Sequence, residues 1–162
     1  MSNKVILANE GKSIRLGGLG IIFKLLGEDT GGSFALIEHP MEPGTLGAPP
    51  HRHTLEDEYS YLLEGHVTIQ VGEQVIEAGP RTLVAKPRGV MHTFWNASNQ
   101  PARVLEIIAP AGMENYFAEL GELVAEGAPP DDPRRIGLAQ KYHLEYDRSR
   151  IAELLKTYHL HM

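Results

Sequence analysis

The chain has 162 residues, no cysteine, eight histidines and a formal net charge of −6. That length, with 42% hydrophobic and 22% charged residues, suits one domain with a single core and excludes a disordered or collagen-like chain. Without cysteine there are no disulfides, thiolate metal sites or cysteine nucleophiles, so any bound metal must use imidazole and oxygen ligands. The acidic balance, with a pI near 5.7, offers no basic stripe to displace the counterions of a nucleic acid, so none is expected as a partner.

Residues 1–7 lack a long apolar region with a cleavage site, and no apolar run reaches membrane-spanning length. The expectation is a cytoplasmic protein with no membrane partner, in which the sequon Asn96-Ala97-Ser98 is a chance match. Residues 12–108 read as strand: short β-rich runs at 21–23, 34–37, 67–71 and 104–108 are punctuated by Gly and Pro. That pattern predicts an all-β sandwich or barrel. Gly17-Gly18-Leu19-Gly20 lacks the Lys-Ser/Thr of a phosphate loop and reads as a turn. Gly65-His66 and Gly72-Glu73 fall at hairpin spacing, so residues 57–78 are predicted to form an antiparallel meander of sequence neighbours.

After Pro110 the period becomes helical. Met113, Tyr116, Phe117, Leu120, Leu123 and Val124 form the stripe of an amphipathic helix. Asp132 and Pro133 make an N-cap and first turn for a second helix, and Ile151, Leu154, Leu155 and Tyr158 repeat the spacing in a third, after a cap at Asp147 or Ser149. The stripes are expected to pack against the β-region or a second subunit. The chain thus divides into a β-barrel domain over residues 1–112 and a helical appendage of the same domain over 113–162, too small for a core of its own. Arg134, Arg135, Arg148 and Arg150, balanced by Asp131, Asp132, Glu145 and Asp147, read as a solvated face. His159 and His161 read as an exposed tail.

The chemistry is concentrated between Pro50 and Asn96. On a strand, His51 and His53 point to the same face and converge on one ion. Glu58 returns from the next strand through residues 54–57, and His92, starting another β-type run after a Pro/Gly turn, is the best fourth ligand. Burying three imidazoles and a carboxylate unpartnered carries several kcal/mol of desolvation cost, which a metal removes. Alternation puts Ser60 and Leu62 on the face of Glu58, and Phe94 and Asn96 on the face of His92. These four are the expected pocket wall, apolar enough to favour a planar aromatic or enolic small molecule. Tyr59, Tyr61 and Trp95 then face outward, against the helices or a second subunit. His39, without a spacing partner, is read as structural.

At these residues the sequence resembles the cupin superfamily. Its first motif, His-x-His, three or four residues, Glu, six residues and Gly, is matched by His51, His53, Glu58 and Gly65. Its second, Pro-x-Gly, two residues, His, three residues and Asn, is matched by Pro87, Gly89, His92 and Asn96. The leading glycines of the two motifs would fall at Thr45, beside Gly44, and at Arg81, where Gly79 serves the turn with a two-residue extension. Thr30-Gly31-Gly32, Pro49-Pro50 and residues 110–114 extend the likeness to small cupins of the quercetin-dioxygenase-like type. The resemblance implies a double-stranded β-helix, or jelly roll, with C-terminal helices packed outside, and a metal inside the barrel. It also implies a homodimer. A three-His, one-Glu site leaves coordination positions open, suits iron(II) or manganese first and nickel, cobalt, copper or zinc as well, and makes Glu58 a ligand, or a ligand and catalytic base. The expected activity is a dioxygenase on a small aromatic or enolic substrate. The alternatives are an isomerase or lyase using the metal as a Lewis acid, and a non-catalytic small-molecule binding protein.

Overall fold

Alternation of inward and outward side chains organises the β-region into two antiparallel sheets. The computed structural model describes residues 4–8 and 10–162, so the first three residues of the stretch searched for a targeting signal lie outside the described residues. One sheet contains β1 (Ser13–Leu16), β2 (Leu19–Leu25), β3 (Ala35–Met41), β5 (Asp57–Glu64), β8 (Leu83–Lys86) and β10 (Ala102–Ala109), in the order β1-β2-β3-β10-β5-β8. The other contains β4 (Thr45–His53), β6 (Val67–Val71), β7 (Gln74–Ala78), β9 (His92–Asn96) and β11 (Leu144–Tyr146), in the order β11-β4-β9-β6-β7. This is a jelly roll. A one-turn helix, α1 (Gly27–Thr30), links β2 to β3. Ile21, Ile37, Leu62, Ile69 and Ile108 are fully buried between the sheets, each contributing about 1.5–3 kcal/mol by leaving water.

The predicted meander is corrected by the strand pairing. The β6–β7 hairpin forms through Gly72, but β5 pairs with β10 and β8, not with β6. The chain changes sheets at Gly65, whose φ of 71° is left-handed and where a Cβ would meet the Pro101 carbonyl oxygen at 2.5 Å. Hairpin spacing signals a reversal without specifying whether the next strand stays in the same sheet. The consequence is functional, because β4 and β5 lie in opposite sheets and their inward side chains meet in the barrel interior. The second expected turn is also simpler than the sequence suggests: Arg81 itself takes the left-handed conformation, with φ 71°.

The C-terminal segment is more than an outer packing layer. Helices α2 (Met113–Ala125), α3 (Pro133–Lys141) and α4 (Ile151–Thr157) form where periodicity places them. Asp132 caps α3 by accepting from the Arg134 backbone N–H at 2.8 Å, and Asp147 caps the 3-10 turn Arg148–Arg150 by accepting from Ser149 at 3.0 Å. Leu154 and Leu160 bury the outer face of β9 at Trp95, which is wholly enclosed. Between α3 and α4, however, β11 joins the barrel, pairing Leu144 with His53 and Tyr146 with His51. Three residues are too few for alternation to reveal a strand. The terminal tail also pairs by its backbone: His161 N–H donates to Gly44 and its carbonyl accepts from Leu46, both at 2.8 Å, although the His159 and His161 side chains stay exposed.

One ion pair ties the β8–β9 turn to β5. Asp57 accepts from the Arg88 backbone N–H at 2.8 Å and from its guanidinium at 3.1 and 2.7 Å. These hydrogen bonds hold the Asp57 carboxyl down to about 2. A pKa depressed by folding gives stability that is complete above the unfolded value near 3.9 and is lost as pH falls through the folded value. Asp57→Asn is therefore expected to lose less stability than the parent between pH 4 and pH 2. Urea denaturation across that interval checks this, and equal slopes would contradict it.

Candidate metal centre

Strand geometry brings the four predicted ligands together. His51 and His53 share the inward face of β4, Glu58 faces them from β5, and His92 opens β9 in register with His51. All four are buried, and one ligand atom from each lies within 4.8 Å of the others. Two backbone carbonyls set the imidazoles. His51 Nδ1 lies 2.8 Å from the Pro49 oxygen and His92 Nδ1 3.0 Å from the Val90 oxygen. A carbonyl only accepts, so Nδ1 carries the proton and each Nε2 keeps its lone pair for the interior. Behind His53, a Glu56 carboxylate oxygen stands 3.6 Å from Nδ1.

The residues fit a metal on their own evidence. Neither ring nitrogen of His53, nor His92 Nε2, has a hydrogen-bond partner among the described residues. The Glu58 oxygens stand only 3.3 and 3.1 Å from those Nε2 atoms without hydrogen-bond alignment. Each orphaned buried polar atom costs about 1–3 kcal/mol, and a cation on these lone pairs removes the cost. Burial, then repulsion from His92 and His53, holds His51 well below the usual imidazole range. Burial also lowers His92. Burial opposes ionisation of Glu58, but His53, Lys86 and His92 outweigh it and hold its carboxyl well below the ordinary value. Neutral imidazoles facing a carboxylate are the forms that metal binding requires. His53 differs: burial lowers it, yet Glu58 and Glu56 together raise it, so loading a metal there releases a proton.

An ammonium that sequence reading overlooked completes the interior. Lys86 is 1% exposed and stands opposite Glu58 on the neighbouring strand. Its Nζ lies 2.9 Å from Glu58 Oε2 and 2.9 Å from Glu106 Oε1. Ser60, opposite Glu106 on β10, donates to that carboxylate at 3.0 Å. Burial pushes the Glu106 carboxyl up to about 7. The same burial lowers Lys86, but Glu106 and Glu58 outweigh it and raise the ammonium above its ordinary value. The available signal was Glu106 itself, a carboxylate at an inward position of an apolar strand, which demands a buried cation.

Above the ligands lies a cavity of about 380 Å³ with His51, His53 and Glu58 in its lining. Of the four positions expected to form its wall, Phe94 does so. Ser60 is engaged with Glu106, and Leu62 is fully buried in the core. Asn96 ties off the next turn, donating to Gln100 at 2.8 Å and accepting from Ser98 at 3.0 Å. Alternation sets which face a side chain takes, not its depth along the barrel, and Asn96 sits at the far end of β9 from His92. The rest of the lining comes from regions read as packing. Met113, Tyr116, Phe117 and Leu120 of α2 roof the cavity, and Tyr146 of β11 lies 5.6 Å from the His51 ring, its hydroxyl 2.8 Å from that of Tyr116. His39 also lines it, hydrogen-bonded through Nδ1 to the Gly20 oxygen at 3.0 Å and held neutral by burial, which brings it down to about 4. Arg148, exposed as the solvated face predicts, and Arg135, half-buried, line it too. Of that group, Arg134 pairs with an expected acid, Asp132, and also with Glu126, while Arg150 pairs with Glu153.

The family model described as Cupin domain matches residues 38–108, the segment that carries all four ligands. The matched segment of the barrel is a cupin domain. Over 79 residues this chain is 32% identical to the tetracenomycin polyketide synthase protein TcmJ of Streptomyces glaucescens, covering 49% of this chain and 51% of that one. The chain thus spans about half the length of that curated relative. Among solved structures, the polyketide cyclase RemF from Streptomyces resistomycificus superposes with a TM-score of 0.60 at 24% identity, over 68% of this chain and 81% of that chain. A sugar phosphate isomerase from a cupin superfamily, from Silicibacter pomeroyi, superposes with a TM-score of 0.51 at 25% identity, over 57% and 59%. Among the described residues no helix is long and apolar enough to cross a membrane.

Two measurements check the interior. His51→Ala and Glu58→Ala are each expected to lower metal occupancy by elemental analysis, and unchanged occupancy in both would contradict the ligand assignment. Lys86→Met leaves Glu58 and Glu106 buried together without their cation and is expected to cost about 3–5 kcal/mol of stability. Chemical denaturation measures that loss, and a loss below 1 kcal/mol would remove Lys86 from the account.

Proposed function

We propose that this cupin holds a divalent transition metal on His51, His53, Glu58 and His92 and acts as an enzyme on a planar phenolic or enolic small molecule. The observation that carries the reading is the meeting of four convergent donors with an aromatic-walled cavity of about 380 Å³. Iron(II) or manganese(II) is the favoured ion, with nickel, cobalt, copper and zinc suited to the same donors. When bound, the ion supplies Lewis acidity that makes a phenol or enol oxygen more acidic. The protein does the rest. Phe94 and Phe117 hold a planar ring and exclude water. Glu58, anchored at one oxygen by Lys86, stands where it can accept the substrate proton.

The proposed reaction is oxidative cleavage by dioxygen. The second reading is a non-oxidative isomerisation, lyase reaction or cyclisation, which the likeness to a polyketide synthase protein favours. Dioxygen consumption by iron-loaded protein with flavonols, catechols and β-diketones separates the two. Uptake coupled to substrate loss supports the dioxygenase, turnover under nitrogen supports the non-oxidative reading, and binding without turnover of any substrate in the panel contradicts both. A homodimer and a small-molecule ligand are the proposed assembly and partner. Light scattering showing only monomer would remove the dimer.

A further inference from the structure

The cavity has a second polar feature that the metal reading does not use. Arg135 of α3 and Arg148 of the turn after β11 both line it. Neither has a carboxylate partner among the described residues; each instead donates one guanidinium N–H to a backbone carbonyl of a single loop, Arg135 to Ala128 at 3.3 Å and Arg148 to Pro130 at 3.2 Å. An arginine has five N–H donors, so most remain unused. One short loop, residues 128–130, accepts from both guanidiniums and so holds both beside the cavity. Arg148 lies over the Tyr146 ring, 5.9 Å from its centre, and the other neighbour of that ring is His51 at 5.6 Å. One aromatic ring therefore separates a metal ligand from a cation. Two guanidiniums held beside one largely apolar cavity offer paired donors to an anion.

We infer that Arg135 and Arg148 hold an oxyanionic group of the substrate, a carboxylate or a phosphate ester, at the cavity mouth while the other end of the molecule reaches the metal. The inference rests on the proposed metal-centred reading and narrows its substrate class to planar phenols or enols that carry an anionic group at the far end. Guanidinium forks match carboxylate and phosphate geometry, and the apolar wall between mouth and metal suits the ring that joins the two ends. The segment supplying both arginines lies beyond the family match at residues 38–108, so selectivity for the anion belongs to the C-terminal elements of this chain.

The test uses zinc-loaded protein and three probes with a common catechol end: 6,7-dihydroxynaphthalene-2-carboxylate, 6,7-dihydroxynaphthalen-2-yl phosphate and the neutral 6,7-dihydroxynaphthalene-2-carboxamide. Binding is followed by naphthalene fluorescence. At least one anionic probe is expected to bind about tenfold or more tightly than the carboxamide, and the preferred one identifies the group. In Arg135→Gln/Arg148→Gln the preference is expected to fall below about twofold, with zinc content, thermal midpoint and carboxamide affinity unchanged. Arg135→Lys/Arg148→Lys, which keeps the charge, is expected to restore part of it. Equal affinities of the zinc-loaded protein for all three probes, or a preference that survives in the glutamine variant, overturns the inference and leaves the metal reading standing. Failure to take up zinc or any other divalent metal overturns the metal reading, and the inference with it.

Discussion

Glu58 is the group on which the interior depends. It is a carboxylate with 4% exposure, set among three imidazoles and an ammonium. Isolated in a dry barrel it would not stay ionised. It does so because Lys86 stands opposite on β8, its ammonium 2.9 Å away. Lys86 must also serve Glu106, so two carboxylates share one ammonium. Glu106 responds by holding its proton up to about pH 7. The orphaned imidazole nitrogens beside that ion pair are the donors that a divalent cation would take up. The same balance explains why Lys86 can be buried at all.

The barrel and the C-terminal segment divide the work. Inward positions on β4, β5 and β9 supply the donors, all from strands whose register is set by the sheets. The roof and mouth come from α2, α3 and β11, and β11 is hydrogen-bonded to the histidine-bearing strand itself. A shift in the C-terminal elements would therefore alter the shape of the cavity and the environment of His51 together. Shared barrel geometry with proteins of different activities follows from this arrangement. The four convergent donors lie in the matched segment, and the cavity walls lie largely outside it.

The ligands were legible because their signal is local. His51 and His53 alternate on one strand, and Glu58 and His92 fall at motif spacings. Helices were legible from the apolar stripe of α2 and the Asp132 and Asp147 caps. What stayed hidden depends on long-range pairing. The sheet switch at Gly65 looks like a hairpin until β5 is seen beside β10, and β11 has three residues and no alternation to read. Lys86 gives no periodic signal, since its burial is compelled by Glu106 on a strand twenty residues away. Ser60, Leu62 and Asn96 were assigned to the cavity wall because alternation reports a side chain's face without its depth. Arg135 reads as solvated because nearby acids balance it in the sequence, although in space Asp132 and Glu145 pair with Arg134 and Arg52 and Asp147 caps a turn.

X-ray absorption of the metal-loaded protein at the metal edge tests the central claim most directly. The account predicts an inner shell of three imidazole nitrogens with carboxylate oxygen, losing one imidazole in His92→Ala. An oxygen-only shell, or one unchanged by that substitution, would contradict a metal bound on His51, His53, Glu58 and His92.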